Sequence, residues 1–233
     1  MIPKVIYQTF YTKNLPSNIQ KLINDMMDNN PEYEHCLYDD NDIDIFIKNE
    51  FDDDTYRAFK MLNVGAAKAD FWRYCILYKK GGIYLDIDSS VIGKLDDLIR
   101  LDNNAIVSRE THQDIFLQWC LIFCSNHPII KKCIEKCIDN ILRKKTNNIL
   151  HLTGPIIFSE SVIEYCKDIN NIWETNDDII NRTLKDSNLD LRLYSTDFFN
   201  FCKFKNGYEN DLKHFNLLNN RPKHWTEEKK IFK

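Results

Sequence analysis

The chain has 233 residues, 43% hydrophobic, 12% aromatic and 28% charged, enough for one domain whose core needs neither disulfides nor metal. Its net charge of −4 excludes the broad cationic surface that binding to nucleic-acid backbones requires, although a local basic pocket for a small diphosphate is compatible with it. No run reaches the eighteen or so apolar residues of a membrane span, and Met1 to Phe10 lack the basic start and apolar stretch of a signal peptide; the expectation is a cytoplasmic or otherwise soluble chain.

Taken in order, Lys4 to Thr9 reads as an opening strand. Ser17 can cap a helix running to about Asp28, with Ile19, Leu22, Ile23, Met26 and Met27 at helical spacing. Tyr33 to Tyr38 reads as a second strand, followed by an acidic segment from Asp39 to Asp54. A helix is expected from about Val64 to Lys80, stopped by Gly81-Gly82. Ile83 to Ile87 is then a short buried strand, and Ala105 to Ser108 another. His127-Pro128 opens a helix through Leu142, and Gly154-Pro155 one that ends near Cys166. From Asn206 to Lys233 the pattern is that of a wrapping loop and short helix. Helices interleaved with short strands predict an α/β domain with a mixed, largely parallel sheet.

Eight cysteines invite a disulfide or zinc reading, but the chain is neither small nor preceded by a secretory signal, so the thiols are expected to be reduced. Cys120/Cys124 and Cys133/Cys137, with His127 between them, share a four-residue spacing. On a helix that spacing puts small apolar side chains on one face, whereas zinc knuckles favour C-x2-C on a turn. The pattern predicts core.

The stretch Gly81 to Ser90, GGIYLDIDSS, carries the most chemistry. If the strand continues, Asp86 and Asp88 project to the same side. Two carboxylates so close repel unless a cation lies between them, and an all-oxygen site favours Mg²⁺ or Mn²⁺. Ligands in open α/β sheets also gather where strands end. Alone, an Asp-x-Asp is often only an acidic turn. Its context here is an apolar strand, two glycines and an upstream helix with a second charged pair, Asp70 and Arg73. Three residues apart, these share a helix face with Ala66 and Leu77 and can bond each other. Beyond a structural salt bridge, the pair can bind a hydroxyl through Asp70 and phosphate through the Arg73 guanidinium.

Three segments, IPKVIYQTF, AAKADFWRYCILYKKGGIYLDIDSS and KHWTEE, resemble the DXD sugar transferases of glycosyltransferase family 32, the capsular-polysaccharide and initiating mannosyltransferase group. The middle one is also similar to the catalytic core of the clostridial glucosylating toxins. The resemblance implies a single GT-A domain over 1–233, with a nucleotide-binding half at about 1–110 and an acceptor-side half at about 111–233. It implies a retaining hexosyl transfer from a UDP- or GDP-sugar (UDP before GDP) to a glycan, lipid or protein acceptor in glycan synthesis, assisted by Mn²⁺ or Mg²⁺. Carried over residue by residue, Asp88 would ligate the metal directly, and Asp86 would meet ribose or the metal through water. Asp70 would bind the donor sugar, Arg73 the sugar and diphosphate, and Tyr84 would shape the ribose pocket. Gln8, Thr9 and Phe10 would flank the base, while His224 would be a further metal or diphosphate contact, with Trp225 beside it at the donor.

The chain departs from that pattern at Tyr7 and Phe10, where the family commonly has His and Trp, and at Lys223, where it often has a first His. Phe10 still offers a face for stacking. Two other readings stay open at this point. One is a binding protein of the same fold without turnover. The other is a haloacid-dehalogenase-type phosphatase, whose nucleophile strand YLDIDSS resembles. That class wants the motif on the opening strand and a later acidic pair, for which Asp177-Asp178 would have to serve.

Overall fold

The structure, a computed structural model, describes residues 1–108, 115–170, 183–185, 190–194, 202–203 and 230–233, without the side chains of 169–170 or of the three segments that follow them before residue 230. The first half alternates β1 (Val5–Thr9), α1 (Ser17–Asn29), β2 (Glu34–Tyr38), α2 (Asp40–Glu50), α3 (Asp53–Met61), α4 (Gly65–Lys80) and β3 (Gly82–Leu85). There follow β4 (Ser90–Val91), α5 (Leu95–Leu98), β5 (Ala105–Ser108), β6 (Cys120–Phe123), α6 (Pro128–Leu142), α7 (Ile149–Leu152) and α8 (Pro155–Asn170). The last strands are β7 (Thr183–Lys185), β8 (Asp190–Tyr194) and β9 (Cys202–Lys203).

Seven strands form one mixed sheet in the order β2-β1-β3-β6-β5-β8-β7, and β4 pairs with β9 in a separate ribbon. β2, β1, β3, β5 and β8 run one way, with β6 and β7 against them, so the largely parallel sheet expected from the alternation is present. The side-chain alternation of each strand divides the core in two. Tyr7, Tyr84, Ala105, Val107, Leu121 and Phe123 face the cluster under α2, α3, α4, α6 and α8. Ile6, Ile83, Leu85, Ile106 and Ile122 face the smaller cluster built with Met26 of α1 and Leu95 and Leu98 of α5. With both faces covered, every residue of β3, β5 and β6 is buried.

The acidic segment is explained by helix starts. Asp39 and Asp42 form a capping box on α2, and the Asp52 side chain accepts from the Thr55 amide of α3. α6 begins at Pro128 as expected, with the His127 ring accepting from the Ile129 amide. α1 differs from expectation. Ser17 is its first residue and Pro16, which has no side-chain acceptor, stands at the cap position.

α4 stops at Gly81, whose φ of 66° is followed by 108° at Gly82. A Cβ at Gly81 would stand 2.6 Å from the Ser125 nitrogen and one at Gly82 2.8 Å from the Val5 carbonyl oxygen. Both positions therefore require glycine, because the turn presses α4 and β3 against neighbouring backbone. The two cysteine pairs also separate. Cys133 and Cys137 lie on α6 as expected, but Cys120 opens β6 and Cys124 follows it. A four-residue spacing places side chains on one face of a strand as well as of a helix, and both join the smaller core cluster. At the other end of the chain, Ile231 and Phe232 are buried beside α3, with Phe232 bridging to Leu62.

Candidate active site

β3 leaves the sheet at Leu85, whose partner is Cys120. Immediately beyond it the Asp86 amide donates to the Trp119 carbonyl at 2.8 Å, and the Ser89 amide donates back to the Asp86 carbonyl at 2.9 Å. Asp86 to Ser89 is thus a four-residue turn. This corrects the strand expected to run to Ile87: Asp86 and Asp88 belong to the turn, so strand alternation does not set their directions. Both are half-buried. The outgoing limb of the turn is β4, which β9 covers in the register Ser90 to Lys203.

Above the turn lies one guanidinium shared by two carboxylates. Arg73 Nη2 is 3.1 Å from Asp70 Oδ1 and 3.2 Å from Asp86 Oδ1. Arg73 Nη1 donates to the Gln118 carbonyl at 2.7 Å, and the guanidinium carbon sits 4.4 Å over the Tyr84 ring. The Tyr84 hydroxyl donates to the same Asp86 oxygen at 2.6 Å. Asp70, Arg73, Tyr84 and Asp86 are thereby brought together as the sequence suggested, and the helix pair reaches the turn through Asp86. Burial works against the Arg73 charge, but Asp86, Tyr84 and Asp70 outweigh it and hold the group above its ordinary pKa. Burial pushes Asp70 up to about 6, offset in part by Arg73. One cation divided between two carboxylates does not fully compensate the more deeply buried of the two.

Asp70 is held from a second side by residues that sequence reasoning did not single out. Thr153 Oγ1 donates to Asp70 Oδ2 at 3.2 Å. The Thr153 carbonyl accepts from the Gln118 amide and the Tyr74 hydroxyl, both at 3.1 Å, and Gln118 Nε2 also lies 2.5 Å from that hydroxyl. Gln118 therefore presents its carbonyl to Arg73 and its side chain to Tyr74 and Thr153. Nothing local marks it; a polar residue just before the apolar run Cys120 to Phe123 was the only sign.

The three residues expected to flank a base differ in exposure at the end of the opening strand. Gln8 is fully buried. Its amide donates to the Asp86 carbonyl at 3.1 Å, and its Oε1 lies 2.9 Å from His35 Nε2. The Thr9 hydroxyl donates to the Tyr38 carbonyl. Phe10 stays half-buried beside Tyr11, ring centroids 4.5 Å apart, so of the three it is the one with an apolar face near the surface. Lys223, His224 and Trp225 lie outside the described residues, as do Asp177 and Asp178.

Among the described residues no group of three or more His, Cys, Asp or Glu is arranged to hold a metal. Burial raises the Cys133 and Cys166 thiols to about 12. The turn offers oxygen donors only, Asp86 and Asp88, beside a Ser89 hydroxyl that is buried with no hydrogen-bond partner. Two carboxylates and unfilled valence suit a hard divalent ion that completes its shell with phosphate oxygens and water. Tyr84 and Arg73 both occupy Asp86 Oδ1.

The chain is similar to several known glycosyltransferases. Residues 16–107 match the family described as the glycosyltransferase sugar-binding region containing the DXD motif. The chain is 26% identical to an initiation-specific alpha-1,6-mannosyltransferase of Candida albicans, over 83% of this chain and 60% of that protein. It is 29% identical to a glycosyltransferase of Acanthamoeba polyphaga mimivirus, over 72% and 67%. To a mannosyl phosphorylinositol ceramide synthase of Saccharomyces cerevisiae it is 27% identical, over 94% of this chain and 56% of that one. The chain thus spans little more than half the length of several of these relatives. In fold it is similar to the PaToxG glycosyltransferase, with a TM-score of 0.56 at 20% identity, over 73% of this chain and 72% of that structure. The GT-A expectation is borne out by that likeness. No helix among the described residues is long and apolar enough to cross a membrane.

Proposed function

We propose, from the DXD-containing sugar-binding region that residues 16–107 carry, that the chain is a metal-dependent retaining glycosyltransferase, working as a single domain over 1–233. It would transfer a hexose from a nucleotide sugar to an acceptor hydroxyl on a glycan, lipid or protein. The observation that carries this is the placement of Arg73, buried and charged, against the turn that presents Asp86 and Asp88 at the end of a central strand. A cation fixed at that point in a low-dielectric wall stabilises the negative charge that grows on a departing diphosphate. Asp86, Asp88 and the diphosphate would hold Mn²⁺ or Mg²⁺ between them, which when bound adds Lewis-acid neutralisation of the same charge.

The chain's own residues then divide the work. Arg73 faces the leaving group, and Asp70, held by Thr153 and Arg73, accepts from a donor-sugar hydroxyl. Tyr84 supports Arg73 from below, Phe10 offers a face to the base, and His224 would be a further metal or diphosphate contact with Trp225 beside it at the donor. As the bond from the anomeric carbon to the diphosphate oxygen breaks, the acceptor oxygen bonds that carbon from the same face. The acceptor proton passes to the departing diphosphate. Asp86 does not suit the phosphatase reading: it follows the sheet's third sequential strand rather than its first, and Tyr84 and Arg73 occupy one of its oxygens.

Several relatives are named for mannose transfer, which puts GDP-mannose first among donors to try, ahead of UDP-glucose and UDP-galactose. The test is donor hydrolysis with Mn²⁺, Mg²⁺ or EDTA, in wild type and Asp88→Ala. Metal-dependent hydrolysis of one donor, lost at least ~100-fold in the variant at unchanged melting temperature, is expected. Donor binding without turnover under every metal would instead favour a binding protein of this fold, and an Asp88→Ala variant at full activity would end the metal assignment.

A further inference from the structure

The Asp86 carbonyl oxygen receives two hydrogen bonds. One comes from the Ser89 amide at 2.9 Å and closes the turn. The other comes from Gln8 Nε2 at 3.1 Å, across from β1. A carbonyl cannot donate, so the Gln8 amide must turn its NH₂ toward Asp86 and its oxygen toward His35. That oxygen in turn requires His35 Nε2 to carry a hydrogen, which fixes the tautomer of the neutral ring. Burial lowers the His35 pKa, but the bond does not depend on charge, because Nε2 donates in the cation too. The three groups stand on adjacent parallel elements: His35 on β2, Gln8 on β1, Asp86 just past β3. Gln8 Nε2 and His35 Nε2 each meet an acceptor, and Gln8 is fully buried.

We propose that Gln8 and His35 are positioning residues: a hydrogen-bonded brace, two side chains long, that sets the Asp86–Ser89 turn and with it the direction of Asp86 and Asp88. They would act on the site through the carbonyl of Asp86. The proposal rests on the donor-transfer reading for its catalytic consequence, while the turn itself can be measured without it. Outer partners of this kind commonly alter metal affinity or activity about 10- to 100-fold when removed.

The test compares Gln8→Met, which keeps length and burial but cannot donate, with His35→Gln, which keeps a side-chain N–H, and His35→Phe, which keeps the ring shape without one. Two quantities are read: amide hydrogen exchange across residues 84–91, and the Mn²⁺ concentration at half-maximal donor hydrolysis. In Gln8→Met, exchange in the turn should rise at least ~10-fold with α6 and β5 unchanged, and half-saturation should move up by a similar factor. His35→Phe should shift both in the same direction and His35→Gln should restore them. Wild-type exchange and half-saturation in Gln8→Met would overturn the proposal. Should Gln8→Met fail to fold, equal behaviour of the two His35 variants would overturn it and rescue by Gln alone would uphold it. A wild-type chain that hydrolyses no donor would count against the transfer reading, and the exchange result would still decide the brace.

Discussion

Two ion networks in this molecule use the same side-chain chemistry to opposite ends. Between α6 and α8, Lys136 bridges Glu160 and Glu164, and Lys132 meets Asp168 at 3.1 Å, all with solvent access. Under α4, Arg73 bridges Asp70 and Asp86 with its side chain only 7% exposed. The first network can lose a member to water. The second cannot, because its charges have been taken out of water and depend on one another. The difference teaches where geometry is being specified. An exposed network tolerates many arrangements, whereas a buried one admits few, and the buried one here is the one tied to the Asp-x-Asp turn.

Three substitutions sharpen that contrast, starting with the largest effect. Arg73→Ala should strand Asp70 and Asp86, costing on the order of 3–5 kcal/mol in denaturant unfolding and abolishing donor turnover. A loss under ~1 kcal/mol would mean that the two carboxylates had found other partners and that the network is not the rigid one described.

Asp70 comes second and is best probed through pH. Its folded pKa is raised to about 6 from 3.8, so its ionisation is penalised in the native state. The associated stability is fully present below about pH 4 and is lost as pH rises through about 6. Relative to Asp70→Asn, the wild type should therefore gain on the order of 2 kcal/mol as pH falls from 7 to 4, read from urea midpoints at each pH. A flat difference would show that Asp70 is not enclosed in solution.

Lys136→Ala should cost the least. The exposed network predicts a loss below ~1 kcal/mol and no change in donor turnover, and added salt should erase most of the stability difference. A larger, salt-insensitive loss would remove the distinction between the two networks.

Much of the arrangement could be read from the chain because it is local. Asp70 and Arg73 share a helix face by spacing alone, the two glycines mark the end of α4, and Asp86 follows an apolar run. What could not be read was long-range. Gln118 and Thr153 meet Asp70 and Arg73 only after β6 pairs with β3 and α7 folds against α8. β6 itself was hidden because four apolar residues beside a cysteine spacing of four fit a helix as well as a strand. Gln8 was read at the right place, but its hydrogen-bond partners could not be read from the chain. Its position at the end of β1 predicts proximity to the turn, yet only the register with β2 and β3 shows that its amide is spent on Asp86 and His35. The turn at Asp86 was missed for a related reason, since Ile87 continues the apolar pattern after the backbone has already left the sheet.

The double-glycine joint between α4 and β3 has a consequence for how such a chain can change over generations. It joins the helix bearing Asp70 and Arg73 to the strand that carries Tyr84 and leads to Asp86 through two positive-φ residues with no room for a Cβ. The four groups thereby travel as one contiguous cassette of seventeen positions, from 70 to 86. Loops elsewhere can be lengthened, recruited or discarded to suit a new acceptor without re-aiming those charges. A single methyl group at either glycine would force backbone to move and disturb all four at once. Diversity is therefore expected in what surrounds the cassette, and very little inside it.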